Sequence, residues 1–393
     1  MRKIELSYRL CSEREPAALI RNPLFELLLA VRASGSISGA ARQLGLSYRH
    51  VWGQLKDWEQ TLDQALIFWE RGQAARLTPF ADRLLWSERL AQARLGPQIE
   101  ALRAELERTL ALAFDPQALV LGLHASHDDA LPLLQDHAAS QAALHLDIRF
   151  CGSVEAIRAL NAGDCVLAGF HVREGADSAS VTARTYQPML QPGLHKLIGF
   201  ARRQQGLMVA RGNPLRLDSL ARVARWRARF VNRAPGSGTR VLLDELLQEA
   251  GLEPGQIQGY LRYEPSHAAV AQAVASGSAD CGLGTEAAAR AQGLDFVPLA
   301  SERYYLACLK SALEQPELQR LRELLAQAAW QDRIAQLPGY EPQASGQVLS
   351  LRRELPWWQL TPRAPAGKGL KIPRIAPKPA SADPQHQSEP DQA

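Results

Sequence analysis

The sequence predicts an α/β protein preceded by a helical, winged-helix amino-terminal domain. Residues 1–114 have mostly helical patterns with short turn signals, whereas residues 116–335 alternate short apolar strands with amphipathic helices. A chain of 393 residues is long enough for two or three folding units. We place an amino-terminal domain over 1–79, a linker or dimerisation helix over 80–115, an α/β domain over 116–335 and an extension over 336–393.

The composition is that of an ordinary soluble globular protein, with 46% hydrophobic and 22% charged residues. The formal net charge of +4 is too small to indicate a partner, so any nucleic-acid signal must come from local placement. The five cysteines include no CxxC pair, which argues against a disulfide framework or a cysteine zinc site. No apolar run reaches the roughly 20 residues that span a bilayer, and the first residues lack the apolar stretch of a signal peptide. We therefore expect a reduced, cytoplasmic protein with no membrane contact.

The first 62 residues contain the signals of a helix-turn-helix. Asn22 precedes Pro23, which is typical of a helix start, and that helix stops at Gly35. Ser36 caps a second helix, and the Gly45-Leu46 turn leads to a third helix that Ser47 caps. The second helix of such a motif enters the major groove of DNA.

Polar side chains at the start of the third helix are the candidates for DNA contact. Arg49 is the best base reader, because its guanidinium matches the O6 and N7 acceptors of guanine. Two short apolar arms around Glu70-Arg71-Gly72-Gln73 predict a β-hairpin wing that lays arginines on the phosphate backbone. The alternative is a solvated face of a helical bundle. The DNA-contact candidates are Ser36, Ser47, Tyr48, Arg49, His50, Gln54, Lys56, Arg71 and Arg76.

A long helix is predicted from Phe80 to about Ala113, with a kink or restart at Gly96-Pro97. Its length and apolar positions suit dimerisation, and packing on its own domain is the alternative. From about residue 361 the chain is rich in proline and poor in large apolar residues, so we predict a disordered tail.

The runs GSISGAARQLGLSYRHVWGQLKDWE and RGQAARLTP resemble the winged helix-turn-helix of ModE-type molybdate-responsive regulators, which is related to the LysR amino-terminal domain. The resemblance covers about Asn22 to Leu85. It implies a homodimer, or a tetramer, that reads an inverted repeat of double-stranded DNA. It also implies DNA contacts from residues 47–50 and from Arg71. ModE carries small molybdate-binding β-domains after this module, and this chain has no such region.

In the second region, strands end repeatedly in a small polar residue followed by a helix. Free backbone N–H groups and a partial positive charge at a helix start make an anion site, and ligands of open α/β sheets lie beyond the carboxyl ends of strands. Ser126, Ser153, Ser237 and Thr239 occupy such positions, so neutral donors can hold a tetrahedral oxyanion there. Simple helix capping is the alternative for each of them.

The region from about Val120 to Leu306 resembles the type II periplasmic-binding-protein-like domain found beside ModE-type helix-turn-helices and in some molybdopterin-biosynthesis proteins. The matching runs include SHD, CGS, AGFH, FVNRAPGSGTRVLLDELL and SHAAVAQAVASGSAD. The resemblance implies two lobes with the ligand in the cleft, which we place at 117–197 plus about 290–335 and at 198–289. Ala125 stands where the family usually has glycine. The ligand-binding candidates are Ser126, His127, Gly152, Ser153, His171, Arg233, Ser237, Gly238, Thr239 and Arg240.

Three of these assignments leave alternatives open. His171 either lines the cleft or is a satisfied structural histidine. Arg240 either supplies charge to the anion or pairs with Asp244 one helical turn on. Arg202 and Arg203 lie where the chain should cross between lobes, and they either reach the ligand or brace the hinge, of which we favour bracing.

Enzyme signatures are incomplete, so we predict a protein that is not an enzyme. The GSGT turn lacks the rest of a phosphate loop. The run from Cys281 fits GxGxxA, but Pro298 should break the next strand of a dinucleotide fold. Ser126, His127 and Asp128 are adjacent, so their side chains should diverge rather than form a relay.

The sequence thus predicts a transcriptional regulator with no cofactor, controlled by a small oxyanion, of which molybdate or tungstate is favoured because both halves resemble molybdenum-linked families. One alternative keeps the architecture and changes the ligand to sulfate, phosphate or formate. The other is a molybdenum-cofactor accessory or binding protein that does not read DNA.

Overall fold

The computed structural model describes residues 22–68, 74–114 and 118–358. The predicted wing residue Arg71 and the predicted tail from about residue 361 lie outside these ranges. Within them, no helix is long and apolar enough to cross a membrane.

Three short helices open the described chain, and their ends carry the predicted caps. Asn22, Ser36 and Ser47 each accept a hydrogen bond from a backbone N–H of the first turn that follows. The first two helices end at Gly35 and Gly45, whose φ angles of +62° and +66° suit glycine. The helices are α1 (Pro23–Ser34), α2 (Ile37–Leu44) and α3 (Tyr48–Leu62).

The arms of a β-hairpin follow. Strands β1 (Ile67–Phe68) and β2 (Arg76–Leu77) pair antiparallel, with Ile67 opposite Leu77. Buried side chains of α1 and α3, such as Val31 and Val51, pack with this hairpin in one small core. The amino-terminal part is therefore a helix-turn-helix with two wing strands.

Helix α4 (Pro79–Phe114) is one continuous helix, so the predicted restart at Pro97 is wrong. A proline in a helix leaves the carbonyl four residues earlier without its N–H donor. Here the hydroxyl of Ser266 donates to the Ala93 carbonyl oxygen at 3.0 Å. The packing of α4 on the second region thus satisfies the group that Pro97 leaves free.

The second region is built on one ten-stranded mixed sheet. Eight strands follow the order β4-β3-β5-β10-β6-β9-β7-β8, while β11 and β12 pair with β6. The strands are β3 (Leu119–Ala125), β4 (Leu144–Phe150), β5 (Leu167–Arg173), β6 (His195–Val209), β7 (Phe230–Arg233), β8 (Tyr263–Glu264), β9 (Cys281–Thr285), β10 (Asp295–Leu309), β11 (Tyr340–Pro342) and β12 (Val348–Leu349).

Helices connect the strands and cover the sheet. They are α5 (Ala130–Ala142), α6 (Ser153–Ala162), α7 (Val181–Tyr186), α8 (Leu220–Arg225), α9 (Gly238–Glu249), α10 (His267–Ala275), α11 (Glu286–Ala291), α12 (Pro316–Ala326), α13 (Ala328–Ala335) and α14 (Leu351–Glu354). The resulting layers are those of an α/β fold, as predicted.

Two long antiparallel strands, β6 and β10, run through both lobes. In β6 the side chains up to Ala201 belong to the cores of lobe one, and those from Leu207 onward belong to the cores of lobe two. The chain therefore crosses between the lobes within residues 202–206 of β6 and 301–303 of β10. Both crossings lie several residues after the predicted ones at 197/198 and 289/290. Because both strands cross without a turn, the sequence carries no turn signal there. We call 118–201 with 304–358 lobe one, and 207–300 lobe two.

Strand β10 also passes through Pro298, which we expected to break it. The strand shifts register between Pro298 and Ala300, where it faces Gly206 and Gln205 of β6. A bulge at this position accommodates a residue that has no N–H to donate.

Candidate functional site

Four helices start at the boundary between the lobes. Lobe one contributes the starts of α5 and α6, and lobe two contributes those of α9 and α10. Ser237 and Ser266 cap the two lobe-two helices by accepting from backbone N–H groups. The α6 start, at Gly152, has no side-chain cap. Helix starts carry partial positive charge, so this boundary favours negative charge.

The two lobes touch at glycines. A Cβ on Gly152 would lie 2.7 Å from the carbonyl oxygen of Gly236, and the Val154 N–H donates to that oxygen at 3.4 Å. A Cβ on Gly238 would lie 3.3 Å from both the His171 Cβ and the Ser153 Oγ. These close approaches require small residues at the turns that start α6 and α9.

Buried hydroxyls meet at this contact. The Oγ atoms of Ser126 and Ser153 are 3.2 Å apart, and both side chains are buried. Thr239 Oγ1 accepts from the amide of Gln205 at 3.2 Å and lies 3.5 Å from His267 Nε2. Two predicted hydroxyls of lobe one therefore meet each other, and a predicted hydroxyl of lobe two lies in the residue after Gly238, which approaches Ser153. We call Ser126, Ser153, His171, Arg233, Thr239 and His267 the interlobe cluster.

Arg233 is the least compensated charge of the cluster. It ends β7, is 3% exposed, and its Nε and Nη1 atoms have no hydrogen-bond partner among the described residues. Burial, and secondly the positive charge of Arg203, lower the Arg233 pKa to about 10. A buried guanidinium without a bonded partner is costly unless an anion reaches it.

Arg203, in contrast, is fully compensated. Its guanidinium donates to Asp128 and, at 2.9 and 3.0 Å, to Glu302. Asp128 also accepts from the Tyr340 hydroxyl at 2.9 Å. Burial alone would raise the pKa of Asp128, but Arg203 and His171 hold it well below its usual range. These contacts join both lobe-crossing strands to the start of α5, which agrees with the predicted bracing role of Arg203.

Two buried histidines, His171 and His267, belong to the interlobe cluster. Burial chiefly lowers the pKa of both His171 and His267, and nearby arginines lower it further. The His171 ring stacks on Tyr304 with centroids 4.0 Å apart, and its Nε2 lies 3.6 Å from Asp128 Oδ2. Buried nitrogens of both rings have no hydrogen-bond partner among the described residues. They are therefore free to donate to, or accept from, a ligand.

Two ligand candidates point elsewhere. His127 Nε2 lies 3.1 Å from Glu100 Oε2, so its ring faces α4. Arg240 Nε lies 3.4 Å from Asp244, and its guanidinium stacks over Tyr260 at 3.8 Å. The helical i,i+4 pairing that we weighed for Arg240 is thus the one present.

Sequence reasoning omitted Asp128, Tyr340 and His267 from the ligand candidates. Asp128 could have been suspected from the SHD run directly after a buried strand. Tyr340 lies 212 residues from its partner Asp128, so no local signal could have joined them.

The start of α3 presents the predicted DNA contacts to solvent. Ser47, Tyr48, Arg49 and His50 are exposed, and so is Arg76 on β2. The remaining described candidates are more constrained. Ser36 accepts from the Gly39 N–H as a cap, Gln54 is half-buried, and Lys56 donates to Glu59 at 2.8 Å.

Two family profiles match this chain. Residues 24–82 match the bacterial regulatory helix-turn-helix proteins of the lysR family, and residues 135–326 match the PBP superfamily domain. The chain therefore combines a helix-turn-helix region that matches the lysR-family regulators with a second region that matches the PBP superfamily domain.

Two curated relatives add to this assignment. The chain is 32% identical over 201 residues to the uncharacterised Bacillus subtilis (strain 168) protein YvgK, covering 51% of this chain and 64% of that protein. It is 33% identical over 111 residues to an uncharacterised Clostridium pasteurianum protein encoded in the 5′ region of a 2Fe-2S ferredoxin gene, covering 28% of this chain and 98% of that protein. The chain belongs to the same family as the Clostridium protein.

Among solved structures, the chain is similar to a cysteine-to-serine mutant of Corynebacterium glutamicum OxyR with bound H2O2. The TM-score is 0.42 at 17% identity, and the alignment covers 82% of this chain and 95% of that one.

Proposed function

We propose that this regulator binds operator DNA as a dimer and that a small oxyanion between the lobes, molybdate or tungstate, controls its affinity for DNA. The observation that carries the proposal is the buried guanidinium of Arg233, whose Nε and Nη1 have no hydrogen-bond partner within the described residues. Arg233 ends β7, just before the turn that starts α9.

The charges of the site favour an anion over a cation. The two carboxylates nearest the crossing strands, Asp128 and Glu302, are both bonded to Arg203. The charge of these two carboxylates is therefore offset by Arg203. A third carboxylate, Asp129, accepts from the Thr285 hydroxyl at 3.2 Å and lies near enough to raise the pKa of Arg233, but forms no ion pair with it within the described residues. Burial raises the pKa of Asp129 and so disfavours its charged form, which leaves Arg233 without a full counter-charge. The starts of α6, α9 and α10 add further positive potential.

The hydroxyls suit a tetrahedral oxyanion. Ser126 and Ser153 belong to lobe one, and Thr239 belongs to lobe two, so one compact ligand would bond to both lobes. Neutral donors and a single arginine hold such a group without the flexibility of a lysine.

Helix α4 supplies the coupling to DNA. It contacts lobe two through Arg94, which donates to Glu264 at 2.6 and 2.7 Å, and lobe one through Glu100, which faces His127. Glu264 lies three residues before His267, and His127 lies beside Ser126. A change in lobe closure therefore moves the anchors of the helix that begins at the winged domain. The ligand shifts this equilibrium only by its difference in affinity for the two states.

A thermal-melt series on the full chain tests the ligand. Molybdate, tungstate, sulfate, phosphate and formate are compared at equal ionic strength. Saturation at 100 times Kd adds about 2.7 kcal/mol to the native state, which raises Tm by roughly 5–10 °C in a domain of this size. We expect the shift with molybdate and tungstate and none with sulfate. A shift with another anion would replace the signal, and no shift with any of them would contradict an anion site.

The matched variants are Arg233→Met and Arg240→Met, on either side of the same turn. Arg233→Met should abolish the ligand shift while leaving the ligand-free Tm equal or higher, because it removes an uncompensated buried charge. Arg240→Met should keep the ligand shift. Gel-shift titration then tests the coupling, and identical operator affinity with and without saturating ligand would contradict it.

A further inference from the structure

The segment from Arg211 to Arg229 forms a basic surface on lobe two that the proposed site does not use. We call it the lobe-two basic surface. Asp218 is its single acidic residue, and Trp226 is 64% exposed within it. Its exposed arginines are Arg211, Arg216, Arg222, Arg225, Arg227 and Arg229.

Only part of this charge is neutralised. Arg222 pairs with Asp218 at 3.3 Å, and Arg229 pairs with Asp280 at 2.6 Å. The other guanidinium groups, those of Arg211, Arg216, Arg225 and Arg227, form no ion pair with any residue in the described ranges. The surface therefore keeps a concentrated positive charge in a chain whose overall formal charge is only +4.

The backbone that carries these arginines is fixed by hydrogen bonds and by buried side chains of the same segment. The Asn213 amide both accepts from the Leu217 N–H and donates to the Leu217 carbonyl, at 2.9 and 3.1 Å. Leu217 and Val223 are buried in the lobe-two core. Arg216 and Arg227 have φ angles of +51° and +50°, in the left-handed region that side chains other than glycine rarely adopt. This backbone holds charged side chains out of the core at fixed positions.

One end of this surface, at Arg229, lies on the side of β7 that faces away from the cleft. Strand β7 ends toward the cleft at Arg233, and Arg229 immediately precedes its other end. Along α4, the contacts with lobe one fall at Glu100 and at Arg108, which lies 3.5 Å from Asp147. The contacts with lobe two fall earlier, at residues 93–94. The winged domain precedes both, so lobe two is the lobe nearer to it along α4.

We propose that the lobe-two basic surface binds phosphates of the same DNA duplex that the winged domain holds. This inference rests on the proposed DNA binding and extends it to a second contact. Duplex DNA carries one negative charge per about 1.7 Å, and arginine forks match phosphate oxygens. Trp226 adds a flat ring and one N–H donor among those arginines.

The test is the salt dependence of DNA binding by the full chain. The variant Arg211→Gln/Arg225→Gln/Arg227→Gln removes three charges from the surface. The control Arg158→Gln/Arg352→Gln/Arg353→Gln removes three exposed charges from lobe one, so the net charge stays matched. Affinity is measured from 50 to 200 mM salt on a selected operator fragment and on an unrelated duplex.

Each phosphate contact contributes about 0.9 to the slope of log affinity against log salt. We expect the surface variant to lower that slope by about 2 to 3 on both duplexes and the control to leave it unchanged. Trp226→Ala should weaken binding without changing the slope. Arg49→Ala provides a contrast, because it should relax sequence preference instead.

Three results separate the hypotheses. If the surface variant had the wild-type slope of log affinity against log salt, the proposed contact with DNA phosphates would be wrong. An acidic protein partner would then be the alternative for this surface. Equal slope losses in the surface and control variants would overturn the phosphate contact too, because net charge alone would then explain them. A wild-type chain that binds neither duplex would overturn the proposed DNA binding itself and support the accessory-protein alternative. The anion-induced Tm shift, retained in the surface variant, shows that it is folded.

Discussion

Arg203 and Arg233 show how partners decide the role of one buried residue type. Both side chains are nearly inaccessible to solvent. Arg203 is bonded to two carboxylates, which raises its pKa and makes it a structural brace. The Arg233 pKa is lowered because burial is not offset by a bonded carboxylate. A fold keeps such an uncompensated charge at a cost in stability, which is why it indicates a ligand.

His267 makes the stability of the fold depend on pH. Its pKa lies well below the usual 6.5 because burial, Arg233 and Arg203 disfavour the charged ring. Below about pH 6.5 the unfolded chain takes up a proton that the folded chain refuses, so stability falls as the pH falls. We expect urea unfolding at pH 7.5, 6.5 and 5.5 to show this loss, at up to about 1.4 kcal/mol per pH unit for each such histidine.

The variant His267→Gln isolates that contribution. It should reduce the number of protons taken up on unfolding below pH 6.5 by about one, so stability falls less steeply with falling pH. His171, whose pKa is lowered in the same way, keeps its contribution. A profile identical to that of the wild-type chain would contradict a buried, neutral His267.

The sequence predicted site residues where local rules apply. Ser153 and Ser237 follow strands and start helices, and such a position fixes where a side chain points. His127 and Arg240 meet similar local rules yet face α4 and Tyr260, because tertiary partners decide the direction of a long side chain. Whether the cluster binds an anion stays a prediction.

At the scale of elements, α4 is the connection between the site and the winged domain. Periodicity predicted its length well, from about Phe80 to Ala113 against Pro79–Phe114. The uninterrupted passage through Pro97 could not be predicted, because the donor that makes it tolerable, Ser266, is remote in sequence. The lobe crossings in β6 and β10 were predicted several residues too early for a related reason, because a continuous strand gives no boundary signal.

The variant Arg94→Met tests whether α4 transmits the ligand signal. It removes the bidentate partner of Glu264, whose side chain is only 2% exposed. We expect anion binding to persist, seen as a retained Tm shift. The change that the anion causes in operator affinity, typically 5- to 150-fold in coupled systems, should shrink several-fold.

The double variant Arg94→Met/Glu264→Gln is the control for that experiment. It removes the buried charge that Arg94→Met leaves unpaired, so the double variant should regain stability but not coupling. Recovery of full coupling in the double variant would show that the single variant acts through instability alone.

At the scale of the whole molecule, the exposed apolar face of α4 predicts how two chains assemble. Leu102, Leu106 and Leu110 follow at intervals of four residues and are 53%, 41% and 38% exposed. The other side of the helix contacts both lobes, so this stripe is free to pack against a second α4. A dimer formed this way brings two winged domains to one inverted repeat.

The variant Leu102→Gln/Leu106→Gln should convert the dimer to a monomer in sedimentation equilibrium, because each change puts an amide into the apolar seam. Operator affinity should fall steeply, since a monomer engages one half-site, while the anion-induced Tm shift persists within each chain. The control Leu215→Gln/Leu261→Gln changes two exposed leucines of lobe two and should leave the dimer intact. If the α4 variant still sedimented as a dimer, another surface would hold the two chains together and α4 would serve its own domain only.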